Sequence, residues 1–193
     1  MSIRILKCSA FALLGFTTGP ASANEFEGSL RSLASNELVS LTTAAEVIEA
    51  VRAQNAKNGQ LDAAAIDSLD AAWRAEVGAS ARPMIDEVLA QPGSEWLRTQ
   101  ADGLAGLVTE VFVTDQLGLN VIQSNVTSDY WQGDEDKWQQ SFGKPDGTIH
   151  FGEVELDEST QTYQSQISMP INDPDSGAPL GAITVGINLE LLQ

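Results

Sequence analysis

The chain has 193 residues, with 10 lysines and arginines against 27 aspartates and glutamates, one histidine, one cysteine and a formal charge of −17. Such an acidic excess argues against nucleic-acid phosphate and anionic membrane surfaces as partners, since both demand basic patches. The only cysteine, Cys8, lies in a segment expected to be removed, which leaves the mature chain without a disulfide, a cysteine nucleophile or cysteine-ligated zinc.

That segment is residues 1–23. Arg4 and Lys7 precede an apolar run from Cys8 to Phe16, and small residues stand at Ala21 and Ala23. This is the three-part layout of a secretory signal peptide, with cleavage expected between Ala23 and Asn24. The run is too short for a membrane anchor, which needs roughly 20 apolar residues, and Lys7 occupies the place where a lipidated Cys8 would want a small residue. The remaining residues 24–193 suit one domain with a sizeable core. No second stretch approaches a membrane span. The expectation is a periplasmic protein with no transmembrane segment after cleavage.

Residues 24–105 read as helical and 106–193 as sheet. Leu30, Leu33, Leu38, Leu41, Ala45, Ile48 and Val51 keep one stripe apolar and predict a long helix over 30–52, stopped at Gly59. Ile66, Leu69, Trp73 and Val77 mark a second helix over 61–77. A third, short one starts around Pro83 and is ended by Pro92-Gly93, with one more turn opened by Trp96. Five strands follow, over 107–114, 119–126, 148–157, 162–171 and 180–189. The first two form a hairpin around Gly118. The third changes phase at Gly152, which predicts a bulge. In the last strand Ile183, Val185, Ile187 and Leu189 alternate with Ala182, Thr184, Gly186 and Asn188, so one face can pack on a helix while the other lets something come close. Short connections make the sheet antiparallel.

The stretch "VFVTDQLGLNVIQSNVTSDYWQGDEDKWQQSF" and the later "FGEVELDESTQTYQSQISMPINDPDSGAPLGAITVGINLELL" resemble the Cache family of extracytoplasmic PAS-like sensor domains, also called PDC domains. The resemblance spans residues 107 to 192. It implies an α+β fold, a five-stranded antiparallel sheet with the long N-terminal helix packed behind it and a ligand pocket in front, covered by the segment after the second strand. Members usually bind amino acids, carboxylates or amines, and most are the outer halves of membrane receptors. No kinase or chemotaxis module is present here, so a signal would pass through a separate partner, a membrane receptor or histidine kinase. In the amino-acid-binding branch an arginine two residues before the lid tryptophan clamps the ligand carboxylate. Asp136 stands at that spacing from Trp138, so amino-acid specificity does not carry over. The amine-binding acid of the family corresponds in position to Asp173.

The residues themselves point to a small-molecule ligand. Tyr130, Trp131, Trp138 and Tyr163 offer aromatic faces, and Asp129, Asp134 and Asp173 offer carboxylates. A desolvated organic cation gains from both, at roughly 0.5 to 2 kcal/mol per ring. The four rings are expected to converge on one cavity opposite the long helix, with Asp173 at its rim and a neutral or cationic amine inside. Bland readings stand beside this one. Asp134 can simply cap a helix starting at Glu135, Trp138 can be core, and Glu135 and Asp136 can be a solvated face. No metal, cofactor or catalytic role is expected. "DPDSG" lacks the glycine and glutamate spacing of a calcium loop, and no "GxSxG" supplies a nucleophile for His150. An envelope structural or assembly protein that keeps the fold without a ligand is the alternative, disfavoured because a filled pocket would more cheaply hold Leu and Ile. N-terminal sequencing of the protein from its host should return Asn24 first, and Met1 retained on a membrane-associated form would overturn the export reading.

Overall fold

The computed structural model describes residues 26–157 and 162–192. The expected signal peptide lies outside the described residues.

The apolar stripe from Leu30 to Val51 is buried as the spacing predicts, but it does not belong to one helix. Helix α1 spans Glu27–Leu33. The chain then widens into a π-turn at Ala34–Leu38, tightens into a 3₁₀ stretch at Val39–Thr43, and leaves helical geometry at Ala44, whose ψ is 138°. Helix α2 follows at Ala45–Asn58. The break has a local cause. The hydroxyls of Ser40, Thr42 and Thr43 donate to the carbonyls of Glu37, Val39 and Ser40, at 3.1, 2.8 and 3.3 Å. Side chains that bond backbone three residues back compete with the helical ladder, and β-branched Val39, Thr42 and Thr43 crowd it further.

Helix α3, Ala63–Glu76, is capped by Asp62, which accepts from Ala65 N at 2.9 Å. Helix α4, Pro83–Leu89, has its first amides closed from outside, since Glu76 Oε2 accepts from Met84 N and Ile85 N at 2.9 and 3.0 Å. Pro92 starts helix α5, Pro92–Gly103, rather than ending α4. Proline suits either role, because a first-turn residue needs no amide hydrogen.

The strands are β1 Val108–Thr114, β2 Asn120–Gln123, β3 His150–Phe151, β4 Glu155–Asp157, β5 Thr162–Asn172 and β6 Pro179–Asn188. Their order is β2-β1-β6-β5-β3, with β4 also on β5, and every pairing is antiparallel. The expected strand over 148–157 is thus split into β3 and β4 on one edge of β5, and the five-rowed layout is kept. Gly152 sits at the split, donating to Gln166 O at 2.8 Å and accepting from Ser165 Oγ at 2.9 Å. A short one-turn helix, α6 at Asp136–Gln139, lies between β2 and β3. Among the described residues no helix is long and apolar enough to cross a membrane.

One face of the sheet carries Val111, Val113, Ile167, Met169, Ile171, Ile183, Val185 and Ile187. These pack against Leu30, Leu33, Leu38, Leu41, Val47, Val51 and Leu97 of the helical layer. A second, smaller core sits where α3 and α4 meet the β1–β2 hairpin, built on Trp73, Ile85, Val88, Leu119 and Tyr130. Trp73 is 0% exposed, stacks on Tyr130 with ring centroids 5.3 Å apart, and donates its indole N–H to Thr127 O at 2.9 Å. Trp73→Ala should therefore cost about 3 to 5 kcal/mol in a denaturant-unfolding measurement, since it opens a cavity and leaves Tyr130 without its ring partner.

Candidate functional site

The opposite face of the sheet is polar yet buried. Side chains paired directly across an antiparallel sheet share a face, and the register runs Gln123 to Phe112, Phe112 to Thr184, Thr184 to Ser168 and Ser168 to His150. One residue from each of β2, β1, β6, β5 and β3 thus forms a single row. Gln123, Phe112, Thr184 and Ser168 are buried, and His150 is half-buried. The hydroxyls of Ser168 and Thr184 share a hydrogen bond at 3.0 Å. A second row beside it holds Asn120, Thr114, Ala182 and Pro170 by the same pairing.

Glu110 and Gln166 flank the row, bonded through Gln166 Nε2 to Glu110 Oε1 at 3.1 Å. Gly186 between them is required. A Cβ there would stand 2.4 Å from Thr109 Oγ1 and 2.9 Å from Glu110 Cγ.

The segment after β2 covers this face. Gln132 N donates to Gly118 O at 2.7 Å and Leu119 bridges to Trp131, so residues 130–132 run as an extra edge beside the hairpin. Gly118, at φ 81°, makes that crossing possible, since a Cβ on it would lie 2.5 Å from Gly133 Cα. Helix α6 then sits on the row. The Lys137 ammonium lies 5.4 Å from the Phe112 ring centroid and pairs with Glu135 at 2.9 Å. Trp138 donates its indole N–H to Asp115 O at 3.2 Å and stacks on Phe142 at 4.7 Å.

Asp115 is the anchor under this lid. It is 0% exposed, and burial pushes its carboxyl up from the ordinary range, opposed by donors from Gln54, Leu119 and Leu117. Those bonds are 3.0, 3.0 and 2.8 Å long. His150 is shifted down by burial, with Asp136 of the lid acting in the other direction.

The polar inventory is unbalanced. Four buried side-chain atoms among the described residues have no hydrogen-bond partner: Asn120 Oδ1, Gln132 Oε1, and both Oε1 and Nε2 of Gln123. Three are acceptors and one is a donor. A buried amide left unpaired costs roughly 1 to 3 kcal/mol, so these atoms weigh against the stability of the fold.

The residues singled out from the sequence do not form one cavity. Tyr130 belongs to the Trp73 core, with Trp131 packed against it. Both are drawn there by Asp70, which accepts from Tyr130 N and Trp131 N at 2.9 and 3.1 Å. Trp138 does join the lid. Tyr163 is 54% exposed and shares the strand phase of Ile167, Met169 and Ile171, which puts it on the helix-covered face rather than the polar one. Asp129 is tied up within its loop by Gln132 and faces Arg74 at 3.6 Å. Asp173 lies in the β5–β6 turn, where Arg52 of α2 grips it at 2.7 Å and holds its carboxyl down at about 2. Asp134 is exposed, and α6 begins at Asp136 without a side-chain cap. Gln123, Lys137, Ser168 and Thr184 were not singled out, and His150 was weighed only as a partner for a nucleophile. The small and polar alternation of the last strand was their one visible trace.

No family model matches the chain, and neither does any curated protein. Solved structures do. The sensor domain of the histidine kinase DctB of V. cholerae is similar at 13% identity and a TM-score of 0.40, over 86% of this chain and 55% of that one. The ligand-binding domain of the Campylobacter jejuni chemoreceptor Tlp3, solved with 4-methylisoleucine, is similar at 17% identity and a TM-score of 0.41, over 89% of this chain and 63% of that one. Both are Cache-type sensor domains. This chain spans a little over half the length of the structures it matches.

Trp138→Phe keeps the stack on Phe142 and removes only the bond to Asp115 O. It should lower stability by about 0.5 to 1.5 kcal/mol in chemical denaturation, well short of a core truncation.

Proposed function

We propose that this chain is an extracytoplasmic, periplasmic ligand-binding module of sensor type, and that it holds a small metabolite between the polar row and helix α6. The observation that carries this reading is Gln123. It is wholly buried, both of its amide atoms lack partners, and it stands at the sealed end of a row that crosses the entire sheet. A core built only for stability would place leucine there.

The ligand class follows from the same inventory. Three unpaired acceptors against one donor suit a neutral or cationic amine, whose N–H groups complete Gln123, Gln132 and Asn120. Glu110 on the sheet and Asp136 at the mouth supply carboxylates, in place of Asp129 and Asp173, which are engaged elsewhere. Lys137 is neutralised by Glu135 and covers the Phe112 ring. Occupancy changes what α6 rests on, and a separate membrane receptor or histidine kinase would read that change.

The test is a thermal-shift screen of residues 24–193 against small amines, with Gln123→Leu as control. A genuine ligand stabilises the wild type by about 2.7 kcal/mol at a hundredfold excess over its dissociation constant. Gln123→Leu should abolish that shift while leaving the unliganded protein as stable or more stable, by about 1 to 3 kcal/mol, because two unpaired buried groups disappear. If every stabilising amine acts equally on Gln123→Leu, the row is not the site.

A further inference from the structure

The helix-covered face of the sheet carries a cleft of its own, apart from the polar row. It opens where the π-turn at Ala34–Leu38 gives way to the 3₁₀ stretch at Val39–Thr43, and the last turn of α5 forms its far wall. A wide turn followed by a tight one presents side chains at different radii, which leaves a gap against α5. The volume is about 260 Å³. An apolar cavity of ~150 Å³ already holds benzene, so this one has room for a ring with a short arm. Its floor is apolar. Leu38, Leu41, Val108 and Val111 belong to the main core, and Leu104 packs against them.

The rim accepts hydrogen bonds far more than it donates them. Ser40 and Thr99 line it, and each hydroxyl gives its single proton to a backbone carbonyl of its own helical turn, Glu37 O at 3.1 Å and Glu95 O at 3.0 Å. Only their oxygen lone pairs are left for anything that enters. Gln100 alone brings side-chain N–H groups. Glu37 stands on the rim, exposed, with no ion pair among the described residues. Thr99, Gln100 and Gly103 belong to the C-terminal end of α5, where a helix carries partial negative charge. No lysine, arginine or histidine lines the cleft among the described residues. Arg98, beside Thr99 in the chain, is already engaged by Glu95, Leu89 O and Ser124 O.

We propose that this cleft is a second binding site, for a small ammonium compound whose aryl or alkyl body lies on the leucine and valine floor while its charged head sits at Glu37. A carboxylate in the same place would meet Glu37, two hydroxyl oxygens and a helix C-terminus, all of the wrong sign. An inorganic cation would give up water to walls that replace none of it. An amine with an apolar body meets both demands. The site lies across the sheet from the polar row and does not depend on it.

An amide-resolved NMR titration with phenethylammonium chloride tests this, with phenethyl alcohol as the uncharged match, on the wild type and on Gln123→Leu. The amides of Leu38, Leu41, Gln100 and Leu104 should shift saturably in both proteins, whatever those of Gln123, Ser168 and Thr184 do. Glu37→Gln should weaken that binding about two- to fivefold, the range of an exposed ion pair. Thr99→Lys, which sets a cation on the rim, should weaken it at least as much, and the alcohol should bind more weakly than the amine by a similar factor. Both substitutions fall at exposed positions, so the folded state is kept. Cleft amides that do not shift, or that shift in the wild type and not in Gln123→Leu, overturn the proposal, and in the second case the amine acts through the row. Cleft shifts with an affinity that is the same for the alcohol, for Glu37→Gln and for Thr99→Lys overturn it too, since the charge is then not recognised. Cleft shifts that persist while the row stays silent support this site and remove the reading of the row.

Discussion

One buried carboxyl, paired with no cation among the described residues, joins the main parts of this fold. Asp115 is sealed from water and satisfied by neutral donors: the amides of Leu117 and Leu119 in its own turn, and the side-chain amides of Gln54 and Asn58 on α2. Its main-chain oxygen takes the Trp138 indole. Helix layer, hairpin and lid therefore converge on one residue. A buried carboxyl without such donors would be costly, so the helix layer and the hairpin satisfy its side chain while the lid is tied to the same residue through its main-chain oxygen. Asn55 of the same helix adds to the joint, accepting from Gln116 N at 3.0 Å and donating to Leu180 O at 2.8 Å.

The two faces of the sheet follow from this arrangement. On one side β-branched residues of β1, β5 and β6 meet leucines and valines, a dry layer governed by apolar burial. On the other, Ser168, Thr184, Thr114 and Gln123 are equally hidden but polar. Burying them gains little hydrophobic energy and incurs desolvation, which the Ser168–Thr184 bond and the bond from Thr114 to Ala182 O offset.

The sequence made the dry face legible and the wet one nearly illegible. Alternation in β5 and β6 is a local property, readable from the residues themselves. The row from Gln123 to His150 depends on register between residues as far apart in the chain as Phe112 and Thr184, which no periodicity records. Tyr130 shows the same limit. Its neighbours in sequence suggested a lid, yet Asp70 and Trp73 of α3 claim it for a second core. The helix expected over 30–52 was right about which residues turn inward and wrong about continuity, because hydroxyl groups at Ser40, Thr42 and Thr43 act on the backbone and not on the apolar stripe. Pro92 misled for a different reason: the residue that ends one helix also opens the next.

The interruption between Leu33 and Ala45 bears on how force passes through the molecule. A continuous helix acts as a rod and delivers a push at one end to the other. Here the spacing of backbone bonds changes twice and stops at Ala44. Leu30 and Leu33 rest on the sheet through α1, whereas Val47 and Val51 rest on it through α2. The two helices thus rest on the sheet through separate sets of side chains, and the segment that joins them is not a rod.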